Sequence, residues 1–504
     1  MLLMIIIVAL IIFVFTEFQK DRSRTALHVL QLEEYNSSNY KRWVIENSEK
    51  IMPFKQTIIE DKSPLVMTDR AKRLFKIHKV VNMLILALVA VIITLFLGKP
   101  NLTVLAVIIA SFLLYYYEPY VMILSNNISV PREVKINMGY YYAAEEKLKS
   151  IDGIKVVGIT GSFGKTSTKF ITGTILDNDF KVQNTPSSFN TPMGLSKIIN
   201  NELTEDKEVF IAEMGARIPG EIKELTDLVH PSIGVITSIG PTHMETFKTI
   251  ETIIETKYEL IEELPEDGIA IFNYDNHYVK TMADRTNLKK ILYGMDDIEK
   301  LDLYATDIKV DSRGSSFNIC TKGGKVVNTR TVLLGKHNIS NILAGAAVGL
   351  ALGLSLEVVA DRIKHIEPIE HRLNIVDGGT GVIIIDDAFN SNPVGARAAL
   401  EVINEFKDGR KIIVTPGMVE LGDIEEEENY KFGLEIAKVC NFAILVGIKR
   451  TEPIKKGIIE GGFNSNNIFS VNNLDEATQI IGKITVPGDV VLFENDLPDN
   501  YSED

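Results

Sequence analysis

Residues 154–168 read Ile154-Lys155-Val156-Val157-Gly158-Ile159-Thr160-Gly161-Ser162-Phe163-Gly164-Lys165-Thr166-Ser167-Thr168. An apolar run short enough for a buried strand leads into a glycine-bearing loop, then Lys-Thr, then a stretch of helical periodicity. That order is what a phosphate cradle requires. Backbone N–H groups from Gly161, Ser162, Gly164 and Ser167 and the start of the helix face the phosphates. Lys165 neutralises the outer phosphate oxygens and Thr166 reaches Mg²⁺. The common form of the loop wants glycine at 159, where isoleucine stands. The segment predicts nucleotide binding on an α/β fold with a parallel sheet.

Further strand ends lie downstream. Glu213 follows the apolar run Val209-Phe210-Ile211-Ala212, and His243 follows Val235-Ile236-Thr237-Ser238-Ile239. Ligands collect at the carboxyl edge of open α/β sheets, so both are candidates for the nucleotide site. A carboxylate capping the next helix and a structural histidine are the plainer readings. Lys257 lies in a helical stretch, Ile250 to Leu264, where a lysine is usually a solvated charge. A domain boundary falls near Glu367-Pro368. After it, strands at 382–385, 411–415, 442–446 and 490–493 alternate with helical stretches, which predicts a second, Rossmann-like parallel sheet. The acids Glu425 to Glu428 read as a solvated face. An Ala/Gly-rich helix from Asn338 to Gly353 predicts close packing against the first sheet.

Gly158-Ile159-Thr160-Gly161-Ser162-Phe163-Gly164-Lys165-Thr166 resembles the phosphate loop of the Mur ligase family, the ATP-dependent amide ligases of peptidoglycan synthesis. Five further stretches resemble that family in the same order. They are Ala212-Glu213-Met214-Gly215-Ala216, Ser238-Ile239-Gly240-Pro241-Thr242-His243, Thr256-Lys257-Tyr258-Glu259, Gly335-Lys336-His337-Asn338 and Asp386-Asp387-Ala388-Phe389-Asn390-Ser391-Asn392-Pro393. The last, with Glu420-Leu421-Gly422, is most similar to the branch that adds D-alanyl-D-alanine. The resemblance implies ATP and two Mg²⁺ ions, one held by Thr166 and Glu213, one by His243 and a carbamate formed from Lys257 and CO₂. It implies adenine contacts at Asn273, His337 and Asn338, for which turn chemistry is an equal alternative, and ATP contacts from Arg372 and Asp386. The implied reaction passes through an acyl phosphate that an amine attacks, with Lys165, His243 and Lys257 as the catalytic groups. A peptidoglycan precursor, UDP-linked or lipid-linked, and an amino acid or dipeptide would be the partners. An amide ligase of the folylpolyglutamate or cyanophycin type, and a non-catalytic nucleotide-binding scaffold, are the alternatives.

The chain has 504 residues, 45% of them apolar, and a net charge of −14. That charge argues against a general nucleic-acid partner. Two cysteines, Cys320 and Cys440, exclude a disulfide framework and a four-cysteine zinc site. The charge is unevenly spread. Residues 1–150 hold 18 Lys+Arg against 13 Asp+Glu, a net of +5, and the remainder carries −19. Apolar runs at 1–15, 80–97 and 102–124 predict membrane helices. The segment 16–79 carries 13 Lys+Arg against one in the turn Gly98–Asn101, so it is expected on the cytoplasmic side, where its charge suits an anionic lipid surface. The expectation is a multi-pass membrane region (1–150), a cytoplasmic ATP-binding domain (151–368) and a cytoplasmic C-terminal domain (369–504). Mur ligases normally begin with a soluble domain for the UDP-sugar, which this sequence does not resemble. The acidic stretch Glu494–Tyr501 replaces a basic one and would suit a cationic acceptor.

Overall fold

The apolar runs flanking the glycine loop become a nine-stranded sheet of β1 (Lys155–Thr160), β2 (Val182–Asn184), β3 (Val209–Glu213), β4 (Ile233–Ile236), β5 (Ile269–Asn273), β6 (Lys289–Gly294), β7 (Leu303–Asp311), β8 (Gly314–Thr321) and β9 (Val326–Thr331), in the order β2-β3-β1-β4-β5-β6-β7-β8-β9. The chain's structure is a computed structural model that describes residues 2–48, 64–311, 313–377, 379–388 and 392–497. Strands β1 to β7 pair in parallel. Successive residues on one strand enter opposite cores, as a two-residue repeat demands. Val156, Phe210 and Ala270 face one core and Val157, Ile211 and Ile271 the other. Strands buried on both faces read as continuous apolar runs, which is why β1, β3 and β4 were legible. Strands β7 to β9 instead form an antiparallel meander, so the sheet is mixed where a parallel one was expected.

A second sheet contains β10 (Asn374–Asp377), β11 (Ile383–Asp387), β12 (Lys411–Thr415), β13 (Phe442–Val446), β14 (Ile468–Val471) and β15 (Val490–Glu494), ordered β10-β11-β15-β12-β13-β14. All its pairs are parallel except β10 with β11. The connection from Asp377 to Ile383 is too short for the crossover that parallel pairing needs, so β10 turns back as an edge strand.

Residues from Tyr140 to Leu497 form one compact unit and those up to Gly139 another. The division precedes the expected one at 150 because Ala144, Leu148 and Ile151 are buried in the same core as Phe210 and Leu225. The Ala/Gly-rich helix Lys336–Ala351 does lie close to its neighbours, but its glycines Gly345 and Gly349 approach helical residues. A Cβ at Gly345 would stand 3.1 Å from Ile171 Cγ2 and 3.2 Å from Thr172 N, both on the helix Lys165–Leu176 that follows the phosphate loop.

In the unit up to Gly139, helices span Leu2–Phe18, Lys20–Leu32, Ser37–Glu46, Asp69–Leu97 and Pro100–Tyr116, and Glu118–Ser150 begins there. Asp69–Leu97 is long and apolar enough to cross a membrane. Leu2–Phe18 with Lys20–Leu32, and Pro100–Tyr116 with Glu118–Ser150, meet that test only as pairs bent by 49° and 84°. The expected helix 102–124 is therefore broken at Tyr117. Pro119 has no N–H to give to the carbonyl of Tyr115, and Arg22 Nε donates to that oxygen at 2.7 Å.

The basic segment is folded rather than spread. Leu27, Leu30, Tyr40, Val44 and Leu74 share one small core. Arg73 makes a two-pronged pair with Glu133 at 2.7 and 2.6 Å, and Arg70 stacks on Tyr35. Part of the charge expected to face lipid is thus spent inside the fold, and residues 49–63 of that segment lie outside the described residues.

Candidate nucleotide and acyl-transfer site

The strand order places the carboxyl ends of β3, β1 and β4 side by side. Glu213 ends β3, the phosphate loop follows β1, and Thr237 to His243 follow β4. The loop is braced by that third segment. Ser162 N donates to Ser238 O at 2.7 Å, Ser162 Oγ to Gly240 O at 2.9 Å, and Thr237 Oγ1 to Phe163 O at 2.6 Å. The backbone N–H of Ser162, expected to face phosphate, is used in this bracing. Gly161 and Gly164 both have positive φ (149° and 83°), and a Cβ on either would collide with Thr237 Oγ1 or Asn341 Oδ1. Only glycine lets the backbone come this close.

Lys165 Nζ donates to Gly161 O at 2.8 Å and so folds over the loop. Withdrawal from water lowers its pKa, partly offset by Glu213. Ser167, in the first turn of the helix Lys165–Leu176, is buried. Thr166 Oγ1 donates to Glu213 Oε1 at 3.1 Å, and Asn190 Nδ2 to the same oxygen at 3.0 Å. The other oxygen, Oε2, is 3.1 Å from Lys169 Nζ, in a salt bridge 0% and 1% exposed. Neither Lys169 nor Asn190 was singled out from the sequence. Lys169 reads there as an ordinary helix-surface charge, although its place one turn after Lys165 puts both on one helix face.

Lys257 is 2% exposed rather than solvated. Burial, and next the nearby Lys165 ammonium, bring its pKa down to about 7. His243 adopts a left-handed backbone, φ 50°, and its Nδ1 lies 2.6 Å from Oε2 of Glu420, itself at φ 64°. Sparsely populated backbone of this kind at two bonded residues is a mark of functional sites. The His243 bond holds the Glu420 carboxyl below its usual range. Among the described residues no group of three or more His, Cys, Asp or Glu is arranged to hold a metal. The structure thus brings Thr166 to Glu213, while His243 is paired with Glu420.

On the adenine-side candidates, Asn273 ends β5 and its Nδ2 donates to Ser340 Oγ at 3.2 Å, while its Oδ1 accepts from Asp275 N. The His337 ring lies 6.0 Å from that of Phe163, and desolvation lowers its pKa to about 4. Asn338 Nδ2 donates to Leu334 O at 2.8 Å, a helix-start role. From the segment leading into the second sheet, Arg372 lies in the electrostatic reach of Glu213, Lys165 and Asp387. Burial raises the Asp387 pKa to about 7 against the pull of Arg372. Asp386 accepts from His371 Nδ1 at 2.7 Å. Phe389 to Ser391 of that motif lie outside the described residues. In the acidic stretch, Glu494 is fully buried and accepts from Thr415 Oγ1 at 2.6 Å, which removes it from contact with an acceptor; residues 498–501 lie outside the described residues.

A braced phosphate loop, a Thr–Glu pair at a strand end and an arginine just before a second sheet define a nucleotide-dependent group-transfer enzyme built from two α/β sheets. Comparison narrows the class. Residues 159–349 match the Mur ligase middle domain, and 371–494 the Mur ligase glutamate ligase domain. The UDP-N-acetylmuramoyl-tripeptide–D-alanyl-D-alanine ligase of Bacillus subtilis (strain 168) is 30% identical over 344 residues, which cover 68% of this chain and 73% of that one. The Escherichia coli (strain K12) enzyme of the same name is 30% identical over 286 residues, 57% of this chain and 62% of that one. The solved structure of MurF ligase from Thermotoga maritima in complex with ADP has a TM-score of 0.65 at 26% identity, covering 73% of this chain and 82% of that one. The chain belongs to the Mur ligase family and is an ATP-dependent ligase that forms carbon–nitrogen bonds.

Proposed function

We propose that the chain joins D-alanyl-D-alanine, or a similar dipeptide or amino acid, to the peptide of a UDP-N-acetylmuramoyl precursor, working from a membrane. The observation that carries this is the group Lys165, Thr166, Glu213 and Arg372 gathered where the two sheets' loops meet, in a chain 30% identical to enzymes named for that reaction.

Phosphoryl transfer to a carboxylate needs positioning and charge neutralisation more than covalent help. Lys165 and Arg372 supply two fixed cations in surroundings withdrawn from water, where each acts more strongly than it would in solution. The donor chemistry fits Mg²⁺, which prefers oxygen ligands shared with phosphate: Thr166 Oγ1 and Glu213 Oε1 already lie 3.1 Å apart. Mg²⁺ bound there supplies further neutralisation of phosphate charge. A second ion would use His243, whose Nε2 is left for a ligand while Nδ1 meets Glu420, and Lys257 as a carbamate. An amine with a pKa near 7 is substantially neutral at physiological pH, and the neutral amine is the form that adds CO₂. Asn273, His337 and Asn338 would line the adenine.

The membrane assignment rests on Asp69–Leu97 and the two bent pairs, with large apolar side chains such as Leu88, Leu95 and Phe112 directed outward. Three crossings with the ligase unit in the cytoplasm follow from the lysine and arginine distribution. The same outward apolar faces favour testing a lipid-linked precursor beside the UDP-linked one.

The test is ADP release by the full chain in detergent, with UDP-N-acetylmuramoyl tripeptide or its lipid-linked counterpart, each combined with D-alanyl-D-alanine and a panel of amino acids. Release that requires both a precursor and an amine is expected. A rate indifferent to every pair would overturn the ligase reading of this site.

A further inference from the structure

The buried pair Lys169–Glu213 has a geometry that the phosphate loop alone does not require. Glu213 stands at the end of β3 with both oxygens engaged. Oε1 takes hydrogen bonds from Thr166 and Asn190, and Oε2 faces Lys169 Nζ at 3.1 Å. Lys169 also donates to the carbonyl of Ser187, and its ammonium lies 4.5 Å from the centre of the Phe170 ring. Three side chains, two from the helix Lys165–Leu176 and one from the loop at Asn190, therefore fix one carboxylate. Breaking a buried ion pair leaves an uncompensated charge, so this arrangement is held tightly.

We infer that Lys169 is a positioning residue for the metal carboxylate: it ties down Oε2 of Glu213 so that Oε1 is presented, beside the Thr166 hydroxyl, to a divalent cation. The inference rests on the reading of Thr166 and Glu213 as the Mg²⁺ pair. A carboxylate free to rotate would offer either oxygen or both. One pinned by an ammonium on the far side offers a single oxygen in a set direction, next to the hydroxyl that shares the ion. Groups that hold a ligand in this way typically control metal affinity by 10–100-fold. Lys165 has a different task, since it bends back over Gly161 toward the phosphates. Its neighbour one turn along addresses the ligand of the metal and not the nucleotide.

The test uses the full chain in detergent with Mn²⁺ as probe. Free Mn²⁺ is followed by electron paramagnetic resonance in the presence of ADP, and ADP affinity is measured separately in EDTA. Lys169→Met should weaken Mn²⁺ binding about 10–100-fold and leave metal-free ADP affinity unchanged. In turnover, the Mg²⁺ concentration for half-maximal rate should rise, and the rate should largely return at high Mg²⁺. Mn²⁺ affinity within twofold of wild type, or ADP affinity in EDTA falling in step with it, would overturn the positioning role. Lys169→Arg keeps the buried charge and serves if the methionine variant does not fold. It should bind Mn²⁺ less tightly than wild type, and equal or tighter binding would overturn the inference. Wild-type protein and Thr166→Val separate the two readings. If wild type binds no Mn²⁺ with ADP, or Thr166→Val binds as wild type does, the metal pair itself is misassigned. If those behave as expected and only Lys169→Met is silent, the fault lies in the inference about Lys169.

Discussion

The two units of this chain bury opposite things. From Tyr140 to Leu497 the strands hide valine and isoleucine while most charges line the exterior, and the buried pair Lys169–Glu213 lies where β3 ends. Up to Gly139 the arrangement inverts. Leu95 is 78% and Phe96 83% exposed, whereas Glu118 and His78 are sealed off and lie 2.8 Å apart. Gln19, Asn82 and Ser125 complete that polar knot, with Ser125 Oγ 3.0 Å from His78 Nδ1. One rule explains both: apolar surface goes wherever water is not. In the first unit that is the interior, and in the second, on the membrane reading proposed above, it is the outer face. Ionisable groups inside lipid-facing bundles are costly, and they turn inward to find partners. What differs is the surroundings of the buried charge, since in the ligase unit Glu213 lies beside the phosphate loop and in the other Glu118 and His78 meet only helices.

The sharpest test of that difference is Lys257. Lys257→Ala should reduce ligation below detection while ATP still binds, measured by ADP release and by nucleotide titration; full activity would sink the carbamate. The pH sign follows from its pKa of about 7 against the ordinary 10.5. The folded state resists protonation of this amine, so the burden on stability is full below about pH 7 and is lifted as pH rises toward 10.5. Carbamate, seen as a ¹³C signal after labelling with bicarbonate, should accordingly grow between pH 6 and 8. Lys257→Met should melt higher than wild type at pH 7 and approach it at high pH.

Next in size is Lys165→Met. Loss of one preorganised cation at a transferring phosphate is expected to lower kcat by about 10²–10³-fold without lowering Tm, because a desolvated charge is removed with it. In the other unit the same kind of change should do the reverse. His78→Ala leaves the Glu118 carboxylate buried without its imidazole and should destabilise that unit by about 3–5 kcal/mol, read by thermal unfolding in detergent. Nucleotide affinity should stay as it was. If ATP binding collapsed together with Tm, the two regions would be one cooperative body and the contrast between them would fail.

How much of this could be read in advance depended on range. The phosphate loop was legible because strand, glycine turn and helix start are local demands of the backbone. Glu213 could be placed by the same logic, from the apolar run before it. Its partners could not: Asn190 sits in a loop 23 residues away, and Lys169 looks solvated until the chain closes over it. The His243–Glu420 contact joins residues 177 apart, a pairing fixed by the packing of two domains, on which short-range pattern is silent. The break at Tyr117 is different, because Pro119 is a local signal that the reading of an unbroken 102–124 helix does not use. The meander β7–β9 was missed because half-exposed strands lack the continuous apolar runs that betray β1 or β3.

A smaller experiment asks whether the contrast between the units reaches their helix ends. Thr68 caps Asp69–Leu97 by accepting from Ala71 N at 3.2 Å, and Thr249 caps Ile250–Glu262, the helix of Lys257, by accepting from Thr252 N at the same distance. The caps are chemically alike, and each satisfies a donor that its helix cannot. Threonine to alanine at either position should therefore cost about 1 kcal/mol, a few degrees in Tm at most. Equal losses would mean that both helix starts face water, as a cytoplasmic origin for Asp69–Leu97 requires. A much larger loss at Thr68 would place that end where no water replaces the lost acceptor, and the boundary between aqueous and lipid-facing regions would have to move toward residue 68. Thr249→Ala carries its own control, since a frayed first turn lies two turns from Lys257 and should leave the pH dependence of ligation unaltered.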